Sequence, residues 1–188
     1  MRFFVENAVS AVIGVMLMLA VTIIIASTVA AFAGGASTTF EDTPVASLKV
    51  YCDGSGENFN IIFEHLGGDI IPSGDLKIIT WIEDEGGDVF KSNHTAKSPR
   101  SSVSEVQDKR LPVVYDSQGG DSDVDFGDVL WRPGTVAGTW NLEATAEFLG
   151  VSEEKLRDEY VVNGTPVEVT IVYLPSGNTI LKTEFLLG

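Results

Sequence analysis

Residues 8–33 read AVSAVIGVMLMLAVTIIIASTVAAFA, a run of 26 residues without a charged side chain. A helix of this length spans ~39 Å, which exceeds the ~30 Å hydrocarbon core of a bilayer. The run holds fourteen Val, Ile, Leu, Met or Phe residues, and leaving each in water costs about 1.5–3 kcal/mol. The total of roughly 20–40 kcal/mol exceeds the ~5–15 kcal/mol net stability of a typical domain. The segment therefore belongs in lipid or against other apolar helices.

The charge of the chain lies outside this run. The 188 residues carry a formal charge of -15, and the part from residue 36 onward holds 26 acidic and 11 basic residues. Nucleic-acid binding needs clustered Lys and Arg, so this sign excludes it as the main function. Cys52 is the one cysteine, which excludes an internal disulfide and a cysteine-built zinc site. The length suits one compact domain with an appendage.

Two ordinary interpretations of the apolar run stay open. It resembles a secretory signal in ending on the A-x-A pattern Ala31-Phe32-Ala33, but it is much longer than the ~7–15 apolar residues of such a signal. It also fits an N-terminal membrane anchor, which would display a monomeric, lectin-like binding domain on the cell surface.

A third interpretation comes from a resemblance. Residues 6–35, ENAVSAVIGVMLMLAVTIIIASTVAAFAGG, resemble the N-terminal region of archaeal type IV pilins, with a short leader, an A-V-S-P-V-I-G-V-like start, a long apolar helix and a Gly-rich exit. Ala11 stands where the family usually has proline. The resemblance implies a leader over residues 1–8, which a prepilin peptidase removes between Ala8 and Val9. It also implies a helix over residues 9–35 that first spans the membrane and, with a pilus assembly platform, then packs against copies of itself. The residues expected to carry assembly are Val9, Ile13, Gly14, Leu17, Val21, Ile24 and Phe32.

Beyond the glycine pair at 34–35, the apolar pattern changes to that of strands. Strands are predicted at 45–51, 59–65, 76–83, 111–115, 167–174 and 179–187, and the PSGN sequence at 175–178 predicts a hairpin turn. A helix is predicted at 152–160, with Ser152 as its cap. The predicted fold is therefore α+β: a long hydrophobic helix followed by a small antiparallel β-sandwich-like domain over residues 36–188. The HLGGDI sequence at 65–70 and the closing segment 169–181 also resemble archaeal pilins.

Few residues suggest chemistry. His65 and Asp69 flank a glycine pair that predicts a turn, in which Asp69 would bond its own backbone. His94 is expected in a polar loop, and no nucleophile–histidine–acid order emerges. The spacing of Asp121, Asp123 and Asp125 resembles the first positions of a calcium-binding loop. Phe126 and Arg132, however, occupy positions at which an EF-hand has Gly and Glu. A solvated acidic loop over residues 116–128 is the favoured interpretation, and no catalytic, cofactor or metal site is predicted.

Two sequons and three tryptophans remain. Asn93, expected in a polar loop, and Asn163 are candidate N-glycosylation sites, and Pro166 weakens the second sequon. Trp81, Trp131 and Trp140 are expected mainly in the core rather than in a ligand platform. The predicted function is a structural subunit of a type IV pilus-like filament, held in the membrane before assembly and on the outer surface afterwards, where it serves adhesion.

Overall fold

The structure is a computed structural model that describes residues 4–35, 42–84, 86–115 and 125–188. Its internal contacts divide the chain into two units, Met1–Phe40 and Glu41–Gly188. In the described part of the first unit, the chain forms one continuous helix, α1 (Phe4–Gly35). The helix runs unbroken through Ala11, because alanine favours the helical backbone that an interior proline disrupts.

The second unit, called the β domain below, is built mainly from antiparallel strands. In chain order the described strands are β1 (Ala46–Asp53), β2 (Asn60–Gly68), β3 (Ile71–Pro72), β4 (Leu76–Glu83), β5 (Val89–His94), β6 (Val113–Tyr115), β7 (Leu130–Trp131), β8 (Val136–Gly138), β9 (Pro166–Tyr173) and β10 (Asn178–Leu186). One four-stranded sheet has the order β1-β2-β8-β6 and the other has the order β10-β9-β4-β5. A short pair, β3-β7, completes the described strands.

Alternation of side chains fixes the inner face of the second sheet. In β9 every second residue from Val167 to Tyr173 is buried, and β4 alternates in the same way from Leu76 to Ile82. Successive side chains of a strand point to opposite faces, so this register places one face on the core and the other toward solvent.

Short helices close the domain. Helix α2 (Leu142–Leu149) is capped at its N-terminus by Asn141, whose side-chain oxygen accepts a hydrogen bond from the Ala144 N–H at 2.8 Å. Helix α3 (Glu153–Lys155) continues through a single π-helical turn, Leu156–Tyr160, into α4 (Val161–Asn163). Ser152 caps α3 as predicted, since its hydroxyl accepts from the Lys155 N–H at 3.3 Å.

One hydrophobic cluster joins both sheets and the helices. Its largest fully buried side chains come from both sheets, the β3-β7 pair, α2, the π-helical turn and two connecting segments, and include Ile61, Ile78, Trp131, Phe148 and Tyr160. The prediction of an apolar helix followed by a small antiparallel, α+β domain is confirmed.

Several details differ from the sequence prediction. β2 continues to Gly68, so the glycine pair extends a strand and the turn follows at Asp69. Asn93 and His94 lie on β5 rather than in a loop, because β5 is hydrogen-bonded along β4 with Asn93 opposite Ile79. Strands β3, β5, β7 and β8 and helix α2 were not predicted.

Candidate assembly helix

Helix α1 presents large apolar side chains in every direction. Thirteen Val, Ile, Leu, Met and Phe side chains between Val12 and Phe32 are exposed, from 44% for Val21 to 81% for Phe32. The stretch Val12–Ala33 is long and apolar enough to cross a membrane. These side chains are not buried among the described residues, and exposing them to water is unfavourable. A membrane or another molecule would have to cover them.

The hydroxyl groups of Thr22, Ser27 and Thr28, within the part of α1 whose side chains are described, are satisfied inside the helix. The Thr22 and Thr28 hydroxyls donate to carbonyl oxygens three residues back, at 2.9 and 2.8 Å, and the Ser27 hydroxyl donates to the Ile23 carbonyl at 2.7 Å. Such internal bonds let a helix lie in lipid or in an apolar bundle without an unpaired hydroxyl.

The residues expected to carry assembly lie on one side of the helix. At about 100° per residue, Ile13, Leu17, Val21 and Ile24 fall in a stripe about 80° wide, and Gly14 and Phe32 lie about 20° beyond its edge. All of these lie in the described helix, and the five apolar side chains among them are exposed. Ala8 and Val9 lie on the helical backbone, and their side chains are outside the described part of the chain.

The segment that contains most of α1 is similar to a known protein family. Residues 7–48 match the family model of the archaeal type IV pilin N-terminal region. This part of the chain is similar to the N-terminus of archaeal type IV pilins. The match covers less than a quarter of the 188 residues, and it confirms the resemblance drawn from residues 6–35. No match to the chain was found among curated proteins. The family points to a structural subunit of the type IV pilin class rather than to an enzyme.

In this pilin-like chain, two loops of the β domain form hydrogen bonds with the segment just before β1, where the chain enters the domain. The Val45 N–H donates to Asp69 Oδ2 and the Asp69 N–H donates to the Val45 carbonyl, both at 2.9 Å. The Thr43 hydroxyl lies 2.7 Å from Ser176 Oγ and accepts from Asn178 Nδ2 at 2.8 Å. Asp69 therefore bonds the backbone that leads into β1 rather than its own turn, which corrects the sequence prediction. We call this set the entrance clamp.

Three exposed apolar residues belong to the segments that meet at the entrance clamp. Val45, Leu66 and Ile70 are 79%, 54% and 51% exposed; Val45 belongs to the clamp, Ile70 follows Asp69, and Leu66 lies three residues before it on β2. Single apolar residues at strand ends follow no periodic pattern, so the sequence alone does not point to them.

The two histidines lie in structural environments. His65 is buried on β2, and neither of its ring nitrogens has a hydrogen-bond partner among the described residues. His94 Nε2 lies 2.7 Å from the Phe148 carbonyl oxygen and 3.1 Å from Ser92 Oγ. A carbonyl can only accept, so Nε2 carries the proton and cannot serve as a base for Ser92. Burial lowers the pKa of His94, although its bond to the Phe148 carbonyl opposes that shift.

The acidic segment 116–128 is described only from Asp125 onward, so Asp121 and Asp123 lie outside the described residues. The Asp125 carboxylate accepts from Arg110 Nη1 at 2.9 Å and pairs with Arg100 Nη2 at 2.9 Å. Two guanidinium groups already neutralise this carboxylate. Among the described residues, no three His, Cys, Asp or Glu side chains are grouped to hold a metal ion.

The tryptophans occupy three different environments. Trp131 is buried against Phe63 and Phe126, as predicted for a core residue. Trp140 is 37% exposed and its ring centroid lies 5.6 Å from that of Tyr115. Trp81 is 39% exposed and lies under the Lys91 ammonium. The prediction that all three serve the core is therefore wrong for two of them.

Proposed function

We propose that this chain is the structural subunit of an archaeal type IV pilus-like filament, with α1 as the assembly element. The observation that carries the proposal is an exposed helix, apolar on every face, within a segment that matches the pilin N-terminal family. A surface helix of a globular domain would have one polar face. A helix that is apolar all round can be enclosed by copies of itself, and head-to-tail contacts that do not close give an open helical polymer.

The proposed sequence of events begins in the membrane. Met1 to Ala8 form a leader, and Arg2 with the amino terminus stays on the cytoplasmic side. A prepilin peptidase cuts between Ala8 and Val9, which removes the first turn of α1 and leaves the helix beginning at Val9. An assembly platform then moves α1 from lipid into the filament core, with the β domain outside.

Packing in that core would use the stripe of Ile13, Leu17, Val21 and Ile24. Gly14 adds a place for close approach, because small residues allow helices to pack tightly in apolar surroundings. The exposed apolar residues around the entrance clamp would face neighbouring subunits. The acidic β domain would form the outer surface and serve adhesion, with its charge limiting contacts between filaments at low salt.

The alternative is a membrane-anchored monomer whose β domain binds a ligand at the cell surface. It shares the apolar helix and differs in the fate of the N-terminus. An anchor keeps residues 1–8, whereas a secretory signal loses about 33 residues.

The mass of the mature chain separates these possibilities. For protein taken from the host membrane or surface, we expect loss of residues 1–8 and a chain that begins at Val9. Intact-mass spectrometry with N-terminal sequencing measures this directly. Replacing Ala8 with a bulky residue, Ala8→Leu, should block the cut, with Ala30→Leu as the control that leaves processing unchanged. An intact N-terminus in the wild-type chain would contradict the proposal.

We also propose that Asn93 is glycosylated. Its side chain is exposed on β5, an edge strand of the second sheet, so an enzyme can reach it. Asn163 is exposed too, but the hydroxyl-bearing residue of its sequon, Thr165, is only 7% exposed. Host-made protein should therefore carry a glycan mass that Asn93→Gln removes and Asn163→Gln does not. Identical masses for the wild-type and Asn93→Gln chains, apart from the substitution, would exclude modification at Asn93.

A further inference from the structure

The outer face of the second sheet carries a shallow groove. Its volume is about 540 Å³, and Trp81, Glu83, Glu168 and Glu184 are among its lining residues. The strand register places Trp81 opposite Glu168, and Glu168 opposite Glu184. One row of side chains thus crosses three strands, and rigid sheet backbone fixes the spacing of its members.

Trp81 gives the groove a partly open aromatic surface. The side chain is 39% exposed, although a large aromatic ring gains most by burial. Lys91, directly opposite on β5, places its ammonium 4.2 Å from the ring centroid. Lys91 is not among the residues that line the groove, whereas Trp81 is. The part of the electron-rich ring that lines the groove attracts groups with partial positive charge, which include the C–H groups on one face of a pyranose ring.

The carboxylates beside Trp81 are mostly uncompensated. Glu168 pairs with Lys182 at 2.9 Å, whereas Glu83 and Glu184 have no ion-pair partner in the described part of the chain. An ionised carboxylate only accepts hydrogen bonds and offers about four lone-pair sites. Hydroxyl groups of a ligand would satisfy these sites, and bonds to a charged acceptor are the stronger kind.

The two features select one class of ligand. The three carboxylates outnumber the two nearby ammonium groups, Lys91 and Lys182, and this negative balance disfavours an acidic saccharide. A purely apolar ligand would strip water from the carboxylates without replacing its hydrogen bonds. A neutral saccharide offers both an apolar C–H face for Trp81 and hydroxyl donors for Glu83 and Glu184. We propose that this groove is a binding site for neutral pyranose saccharides.

This site is separate from the proposed role in filament assembly. It would also define what the proposed adhesion recognises, namely surfaces that display neutral saccharides. Saccharide binding by the β domain does not require α1 to assemble. Failure of one proposal therefore leaves the other standing, and Trp81→Ala should still form filaments.

Titration of the full chain with sugars tests the site. The protein is made in a bacterium, so that no glycan at Asn93 competes, and is kept in a zwitterionic detergent without a sugar headgroup. Maltose, cellobiose, lactose and N,N′-diacetylchitobiose are added singly while tryptophan fluorescence and heats of binding are followed. We expect at least one to bind with a Kd in the millimolar range, and 3′-sialyllactose to bind more weakly than lactose.

Variants assign the signal to the groove. Trp81→Ala should weaken binding about tenfold or more, and Glu184→Ala should weaken it several-fold without removing an aromatic ring. Trp140→Ala is the matched control, because Trp140 is 37% exposed and lies outside the groove lining; its variant should bind like the wild type. The inference is overturned if none of the four sugars binds in the millimolar range, if Trp81→Ala and Glu184→Ala both bind normally, or if sialyllactose binds as well as lactose.

Discussion

Replacing Ile24 with aspartate is expected to abolish filaments while the β domain stays folded. Ile24 is 62% exposed on α1, and the described core of the β domain contains no residue of α1. In an apolar bundle the new carboxylate would have no water or partner. The cost is about 2.5–3.5 kcal/mol at the centre of a membrane helix, so each assembly contact would weaken by roughly 100-fold.

Electron microscopy of surface preparations measures the loss of filaments, and circular dichroism of purified protein checks the fold. Leader removal in the membrane fraction shows whether the variant still inserts. The matched control is Val162→Asp, which places the same charge at a 74% exposed apolar residue of the β domain and should leave filaments intact. Normal filaments from Ile24→Asp would show that α1 does not lie in an apolar core.

The second large effect is expected at Gly68. Its φ is +105°, and a Cβ built there would lie 2.3 Å from the Val45 carbonyl oxygen. Gly68→Ala therefore combines an unfavourable backbone conformation, costing about 1–3 kcal/mol, with a clash against the entrance clamp. We expect the melting temperature of the β domain to fall by roughly 5–10 °C.

Gly67 offers a neighbouring control. A Cβ built at Gly67 meets nothing within 4 Å, so Gly67→Ala should leave stability unchanged or slightly higher, because alanine restricts the unfolded chain. Thermal unfolding followed by circular dichroism compares the two variants. Equal melting temperatures would contradict the close approach of β2 to the segment at Val45.

The sequence predicts those parts of the fold in which local pattern and burial agree. β4 was predicted at its observed bounds, because residues 76–83 alternate between core and solvent. The β9–β10 hairpin was predicted within one residue at each end, since its strands are β-rich and its turn carries Pro, Ser, Gly and Asn. Helix α1 follows from its length and from its uniform apolar character.

The missed elements lack such a pattern. β5, with the sequence VFKSNH, is an edge strand whose side chains are exposed or half-buried, so the sequence reads as a polar loop and strand pairing alone makes it a strand. α2 is only eight residues long, too short for a helical period to stand out. Its cap residues, Asn141 and Gly150, were the signals that could have revealed it.

The functional features also fall into one that the sequence could predict and others that it could not. The assembly helix could be predicted, because its function depends on composition along one continuous segment. The groove could not, since Trp81, Glu168 and Glu184 come from three strands and meet only through the register of the sheet. The same holds for the entrance clamp, which joins Thr43 to residues more than 130 positions away.

The central claim is that α1 finds its final place among copies of itself. Withdrawing detergent from the chain that begins at Val9, followed by electron cryomicroscopy, tests it most directly. The account predicts filaments with a core of closely packed α1 helices and the β domains outside. A soluble, monodisperse monomer with α1 intact would contradict it.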